Sequence, residues 1–85
     1  MAYRLLIRRS AEKEIADLQP DLRQRIIDHI RALAVIPRPA GCKKLSGVDR
    51  AWRIRIGAYR VVYEINDAAQ SEKIRAVAHR REVYH

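Results

Sequence analysis

Arg53, Arg55 and Arg60 lie close together in this 85-residue chain, and their side chains suit one kind of chemistry. A guanidinium grips a phosphate through two parallel hydrogen bonds, where lysine offers a point charge. Arginine also keeps its proton to above about pH 12, so it stabilises negative charge and does not serve as a general base. The neighbourhood points the same way. Residues 38–63 hold Arg38, Lys43, Lys44, Arg50, Arg53, Arg55 and Arg60 against Asp49 alone. His79 is the one histidine near this cluster, and imidazole titrates near neutrality, which makes it an acid/base candidate. The bland alternative is a strand-end histidine that only hydrogen-bonds. His29 falls mid-helix and His85 is the last residue.

Several elements must position these groups. Trp52, Ile54 and Ile56 alternate with Arg53 and Arg55, which predicts a strand over Ala51–Ile56. Gly57-Ala58 is a turn, and Tyr59–Ile65 alternates again, with Arg60, Val62 and Glu64 on the more polar side. A hairpin of these two strands puts Arg53, Arg55 and Arg60 on one sheet face. Trp52, Tyr59 and Tyr63 take the apolar parity and are expected in the core. Glu64 is placed to orient Arg60. Lys73–His79 reads as a third strand of an antiparallel meander. Upstream, Ala2–Ile7 reads as a strand. Ser10 is the expected cap of a helix whose apolar stripe is Ala11, Ile15 and Leu18. Pro20 opens a second helix striped by Leu22, Ile26, Ile30 and Leu33, and Pro37 and Pro39 end it. A basic loop, residues 38–50, follows. The expected architecture is one α+β domain over residues 1–85: a strand, two helices, then three antiparallel strands, with the helical hairpin packed on one sheet face. Helices there cover the apolar face, so the arginine face stays open or is covered by a partner. Like charges across paired strands repel, which calls for an anion among them.

Composition narrows the class. Eighty-five residues exclude a multidomain enzyme or a complete dinucleotide-binding domain, and 48% apolar residues make a thin core. The net charge is +8, and 14 of the 18 basic residues are arginine, a bias that favours phosphate among anionic partners. No apolar run approaches the roughly 20 residues that span a bilayer. Neither helix pairs a basic face with a strongly apolar one, so no membrane partner is expected. Cys42, the single cysteine, excludes an internal disulfide and a cysteine-built metal site. The charged N-terminal segment lacks a signal-peptide core, so the expected location is cytoplasmic.

Four segments in order carry a resemblance: Lys43-Lys44-Leu45-Ser46-Gly47, Trp52-Arg53-Ile54-Arg55-Ile56, Gly57-Ala58-Tyr59-Arg60-Val61-Val62-Tyr63, and Ala78-His79-Arg80-Arg81-Glu82-Val83-Tyr84. Together they resemble the RelE/ParE toxin superfamily, and within it the RelE-type branch, over essentially the whole chain. The resemblance implies the toxin of a type II toxin–antitoxin pair, which enters the ribosomal A site and cuts messenger RNA there. It implies no metal and no cofactor, because the RNA's own 2′-hydroxyl attacks the adjacent phosphate. It also implies a cognate antitoxin that wraps the toxin, the pair repressing its own operon. The +8 charge adds the expectation that the wrapping segment is acidic.

The resemblance further assigns roles. Arg53 and Arg55 occupy positions where the family has basic residues, and Arg60 matches the arginine of a Gly-x-Tyr-Arg-x-x-Tyr segment; all three would stabilise the phosphate. His79 stands where relatives have histidine or lysine. Arg80 matches a catalytic-type arginine, with Arg81 in its place if the register shifts by one. Tyr84 matches a C-terminal tyrosine that stacks on a base, worth roughly 1–3 kcal/mol, or handles a proton. Lys43, Lys44, Arg50 and Arg81 would contact ribosomal or messenger RNA. Arginine in place of lysine on the Trp52 strand leaves the proton acceptor open among His79, Tyr84 and Glu64. Two rivals remain: a ParE-like poison of DNA gyrase, against which the His-Arg-Arg-Glu-Val-Tyr ending argues, and a non-catalytic nucleic-acid-binding module.

Overall fold

A computed structural model describes residues 2–47 and 50–79 of the chain. It begins with strand β1 (Arg4–Ile7), shorter by two residues than the alternation predicts. Helix α1 (Arg9–Ala16) follows at once. Ser10 does not cap it: the cap position is Arg8, without a side-chain hydrogen bond, and Ser10 lies inside the first turn. The cause is tertiary. The Arg8 N–H donates to the Ile74 carbonyl at 3.0 Å, which fixes the chain and starts the helix two residues early. Helix α2 (Pro20–Val35) opens with proline at its first position and stops before Pro37, as its sequence dictates. The Arg23 guanidinium bonds the Leu18 carbonyl at 3.0 Å and so ties the exposed end of α1 to the first turn of α2.

Strand β2 (Lys43–Lys44) then forms inside the expected basic loop. Strands β3 (Ala51–Ile56), β4 (Tyr59–Asn66) and β5 (Ser71–His79) complete the fold. The sheet order is β1-β5-β4-β3-β2. β1 runs parallel to β5, which the helical crossover permits, and the other pairs are antiparallel. Gly57 turns between β3 and β4 with φ +60°, a conformation that favours glycine.

Ala11 and Ile15 of α1, Ile26, Ile30 and Leu33 of α2, and Ile54, Ile56, Val61, Tyr63, Ile65, Ile74 and Val77 of the sheet form one core. The helical hairpin therefore covers one sheet face, as expected. Ile74 and Val77, three residues apart, both reach this core because β5 carries a bulge opposite Val62/Tyr63. The Val77 N–H is met by the Glu14 carboxylate of α1 at 2.8 Å. The Tyr63 hydroxyl donates to the Pro37 carbonyl at 2.8 Å, which pins the chain where it leaves α2.

Candidate functional site

The strand register assembles a cationic row. Residues directly opposite on antiparallel strands share a face, and here Lys43 stands opposite Arg53 and Arg55 opposite Arg60. Alternation puts Arg53 and Arg55 on the same side. Lys43, Arg53, Arg55 and Arg60 thus line the sheet face away from the helices. Two like-charged pairs sit across from each other, an arrangement that destabilises a sheet by itself. A bound anion reverses the sign of that interaction.

The row is not uniformly open. Arg55 is exposed and Arg53 half-buried, but Arg60 is only 3% exposed. The expectation of a fully open arginine face is corrected at this residue. Arg60 lies on β4, which has β3 on one side and β5 on the other, whereas Lys43 lies on the outermost strand. The Arg60 charge therefore sits in a poorly hydrated place, where electrostatic interactions are stronger than in water.

Glu64, expected to orient Arg60, pairs with Arg75 at 3.2 Å. Arg75, the extra residue at the bulge, is what supplies Glu64 with a cation.

His79 does not join the row. It stands opposite Tyr59 on the helix-facing parity, with ring centroids 5.5 Å apart in an edge-to-face contact. The residue opposite Arg60 is Ala78. Nearness in sequence placed His79 with the arginines, and strand parity separates them. Arg80, Arg81 and Tyr84 lie outside the described residues.

The basic loop divides between the two faces. Lys43 joins the row, while Lys44 faces the other way, opposite Trp52. On that side Arg38, Lys44, Arg50, Trp52, Asn66 and Asp67 line a cleft of about 310 Å³. Arg38 lies over the Trp52 ring at 5.0 Å and grips Asp67 with two hydrogen bonds of 2.9 and 3.3 Å. The Tyr3 hydroxyl donates to the same carboxylate at 2.7 Å. These bonds, Arg38 first, hold the Asp67 carboxyl below its ordinary range, and the shared bond raises Tyr3 in turn. Trp52, expected in the core, is half-buried at its margin under Arg38. The Arg38–Asp67–Tyr3 network has no local sequence signal, since its members are 29 and 64 residues apart.

One buried acid stands apart. Glu72 is 1% exposed on the core side of β5, and neither carboxylate oxygen has a hydrogen-bond partner among the described residues. Burial pushes its carboxyl up to about 7, Arg38 opposing and Asp67 adding to the effect. Among the described residues no three His, Cys, Asp or Glu side chains gather as a metal site would require. No described helix is long and apolar enough to cross a membrane.

Known proteins share this arrangement. A family model described as the ParE toxin of the type II toxin–antitoxin system parDE matches residues 5–84. Among curated proteins no sequence matches. The chain is 28% identical to RelE in the archaeal RelE–RelB complex from Pyrococcus horikoshii, with a TM-score of 0.83, covering 94% of this chain and 97% of that one. It is 28% identical to the isolated E. coli RelE toxin, with a TM-score of 0.80, covering 98% and 92%. The RelBE2 toxin–antitoxin complex of Mycobacterium tuberculosis shares the fold at 22% identity and a TM-score of 0.81, covering 93% and 99%. With a family match across nearly the whole chain and the RelE arrangement of helices and strands, this protein belongs to the RelE/ParE superfamily, as a toxin of a type II toxin–antitoxin system.

Proposed function

We propose that the chain is an endoribonuclease of the RelE type, which cuts messenger RNA in the ribosomal A site without a metal. The observation that carries this reading is the row of Lys43, Arg53, Arg55 and Arg60, with like charges directly opposite each other. In the reaction the 2′-oxygen bonds to the adjacent phosphorus and the bond to the 5′-oxygen breaks. One proton leaves the 2′-hydroxyl and one reaches the departing 5′-oxygen. Arg60, with Arg53 and Arg55 beside it, stabilises the extra negative charge of the five-coordinate phosphorus, the largest contribution such a site makes. Lys43, Arg50 and Lys44 hold flanking RNA. Arg80 adds charge, Arg81 binds RNA, and Tyr84 stacks on a base or passes a proton. His79, on the other side of the sheet, has a packing role with Tyr59 in this account. The ribosome supplies the bent RNA geometry, which contributes as much as the side chains.

A cognate antitoxin is the second partner, since the P. horikoshii relative is a RelE–RelB complex. An acidic segment of it would neutralise the +8 chain. The matching family model carries the ParE name, which favours a second reading, a gyrase poison. Purified protein, messenger RNA on ribosomes with an empty A site, and the same RNA free in solution separate the two. The endoribonuclease reading expects cuts on ribosomes only, with a cyclic phosphate on the upstream fragment. Intact RNA together with inhibited DNA supercoiling would replace it with the gyrase reading.

A further inference from the structure

The cleft on the helix side of the β2–β3 edge holds Lys44 and Arg50, to which flanking RNA was given above without a place to bind. Four features set it apart. Its outer wall carries Lys44 and Arg50, both exposed, and among the described residues neither forms an ion pair. Its one carboxylate among the described residues, Asp67, is already satisfied by Arg38 and Tyr3, which leaves Lys44 and Arg50 for a ligand. Its back wall brings together two groups that stack on bases, the Arg38 guanidinium and the Trp52 indole, 5.0 Å apart. Arg50, finally, is held at φ +62°, a left-handed conformation that glycine adopts freely and a side-chain-bearing residue, here also Gln70 at φ +50°, adopts at a cost. Its carbonyl is fixed there by the Ile65 N–H at 3.0 Å, so the turn is required. Glycine would serve the turn better, and the chain carries a guanidinium there instead. A backbone conformation kept against its preference is a pointer to function.

We propose that this cleft is a second RNA site, taking a phosphate between Lys44 and Arg50 and a base against the Arg38–Trp52 surface. β2 connects it to the arginine row. Lys43 and Lys44 are consecutive and point to opposite faces, and β2 is the outermost strand among the described residues. An RNA strand crossing that edge meets Lys43 on one side and Lys44 on the other. This chain would thus hold RNA on both sides of its sheet. The Arg38–Trp52 pair and this continuity favour RNA over an acidic polypeptide, which needs neither. The inference rests on the RNA-directed reading of the arginine row, yet its test is binding and not cleavage.

Trp52 is the only tryptophan, so its fluorescence reports on the cleft directly. The probe is a short 2′-O-methyl RNA, which binds and cannot be cut. Titration of the wild-type chain should change Trp52 emission saturably. Lys44→Gln and Arg50→Gly should each lower the slope of log affinity against log salt by about 0.7, the share of one phosphate on a single strand. Arg50→Gly suits the left-handed turn, and an unchanged melting temperature in both variants confirms folding. Arg55→Ala should lower the slope while leaving the full Trp52 response. Slopes equal to wild type in Lys44→Gln and Arg50→Gly would overturn the proposal. So would a Trp52 response to poly-glutamate with none to RNA, which would give the cleft to an acidic protein segment. A wild-type chain that binds RNA in this way yet cuts nothing on ribosomes would refute the endoribonuclease reading and leave the cleft standing.

Discussion

Replacing Glu72 by glutamine should make the protein's stability less dependent on pH between about 4.5 and 7, and the structure gives the size of the effect. The carboxyl is buried on the core side of β5 without hydrogen-bond partners among the described residues, and burial raises it from 4.5 to about 7. The unfolded chain releases this proton near its ordinary value, while the folded chain holds it. As pH rises between these two values the unfolded state binds fewer protons than the native state, so stability falls with pH. A gap of about 2.5 units at 1.36 kcal/mol each amounts to roughly 3 kcal/mol, lost between about pH 4.5 and 7. Glutamine cannot ionise and does not follow this fall. The charged groups around the carboxyl, Arg38 and Asp67, are common to both proteins, so the difference between the two curves isolates Glu72. Urea unfolding of both proteins at intervals from about pH 5 to 8 is the assay. The glutamine variant should gain roughly 3 kcal/mol relative to wild type across that range, or roughly 10–20 °C in melting temperature for a domain of this size. Parallel curves would refute the reasoning and mean that the carboxylate is solvated or paired in solution.

Other outcomes follow from the same geometry. Arg55→Ala removes one member of a like-charged cross-strand pair, so it should raise stability by about 0.2–1 kcal/mol at low salt while weakening RNA binding; thermal unfolding and RNA titration on the same preparation check both signs. His79→Phe keeps the edge-to-face contact with Tyr59 and should leave cleavage near wild type; a loss of a hundredfold or more would return His79 to an acid/base role. Tyr63→Phe deletes the hydrogen bond to the Pro37 carbonyl and should cost about 0.5–1.5 kcal/mol by denaturant unfolding.

Strands β3 and β4 were legible almost to the residue, since Trp52-Arg53-Ile54-Arg55-Ile56 and its partner alternate and Gly57 marks the turn. The two helices were legible for the same kind of reason, with apolar stripes at helical spacing and proline at each boundary. Two lysines carry no alternation, so β2 left no trace in the sequence, and its pairing with Arg53 and Trp52 depends on contacts across the loop. Ser10 was misread because a hydrogen bond from Arg8 to a strand some sixty residues away decides where α1 begins. The sheet face of His79 was not legible for a related reason. Register is a property of two strands, and nothing in the local sequence shows that His79 stands opposite Tyr59. Glu72 did have a signal, for it stands two residues before the buried Ile74 and alternation turns it inward.

The central claim is that the arginine row does chemistry on RNA. Single-turnover cleavage of messenger RNA on programmed ribosomes, wild type against Arg60→Met, tests it most directly. Methionine keeps an apolar stem of similar length in this buried position and removes the cation. Loss of one preorganised charge that stabilises the transition state costs about 10²–10³ in rate. The account predicts a fall of that size with the fold intact by circular dichroism. A folded Arg60→Met chain that cuts at the wild-type rate would contradict it.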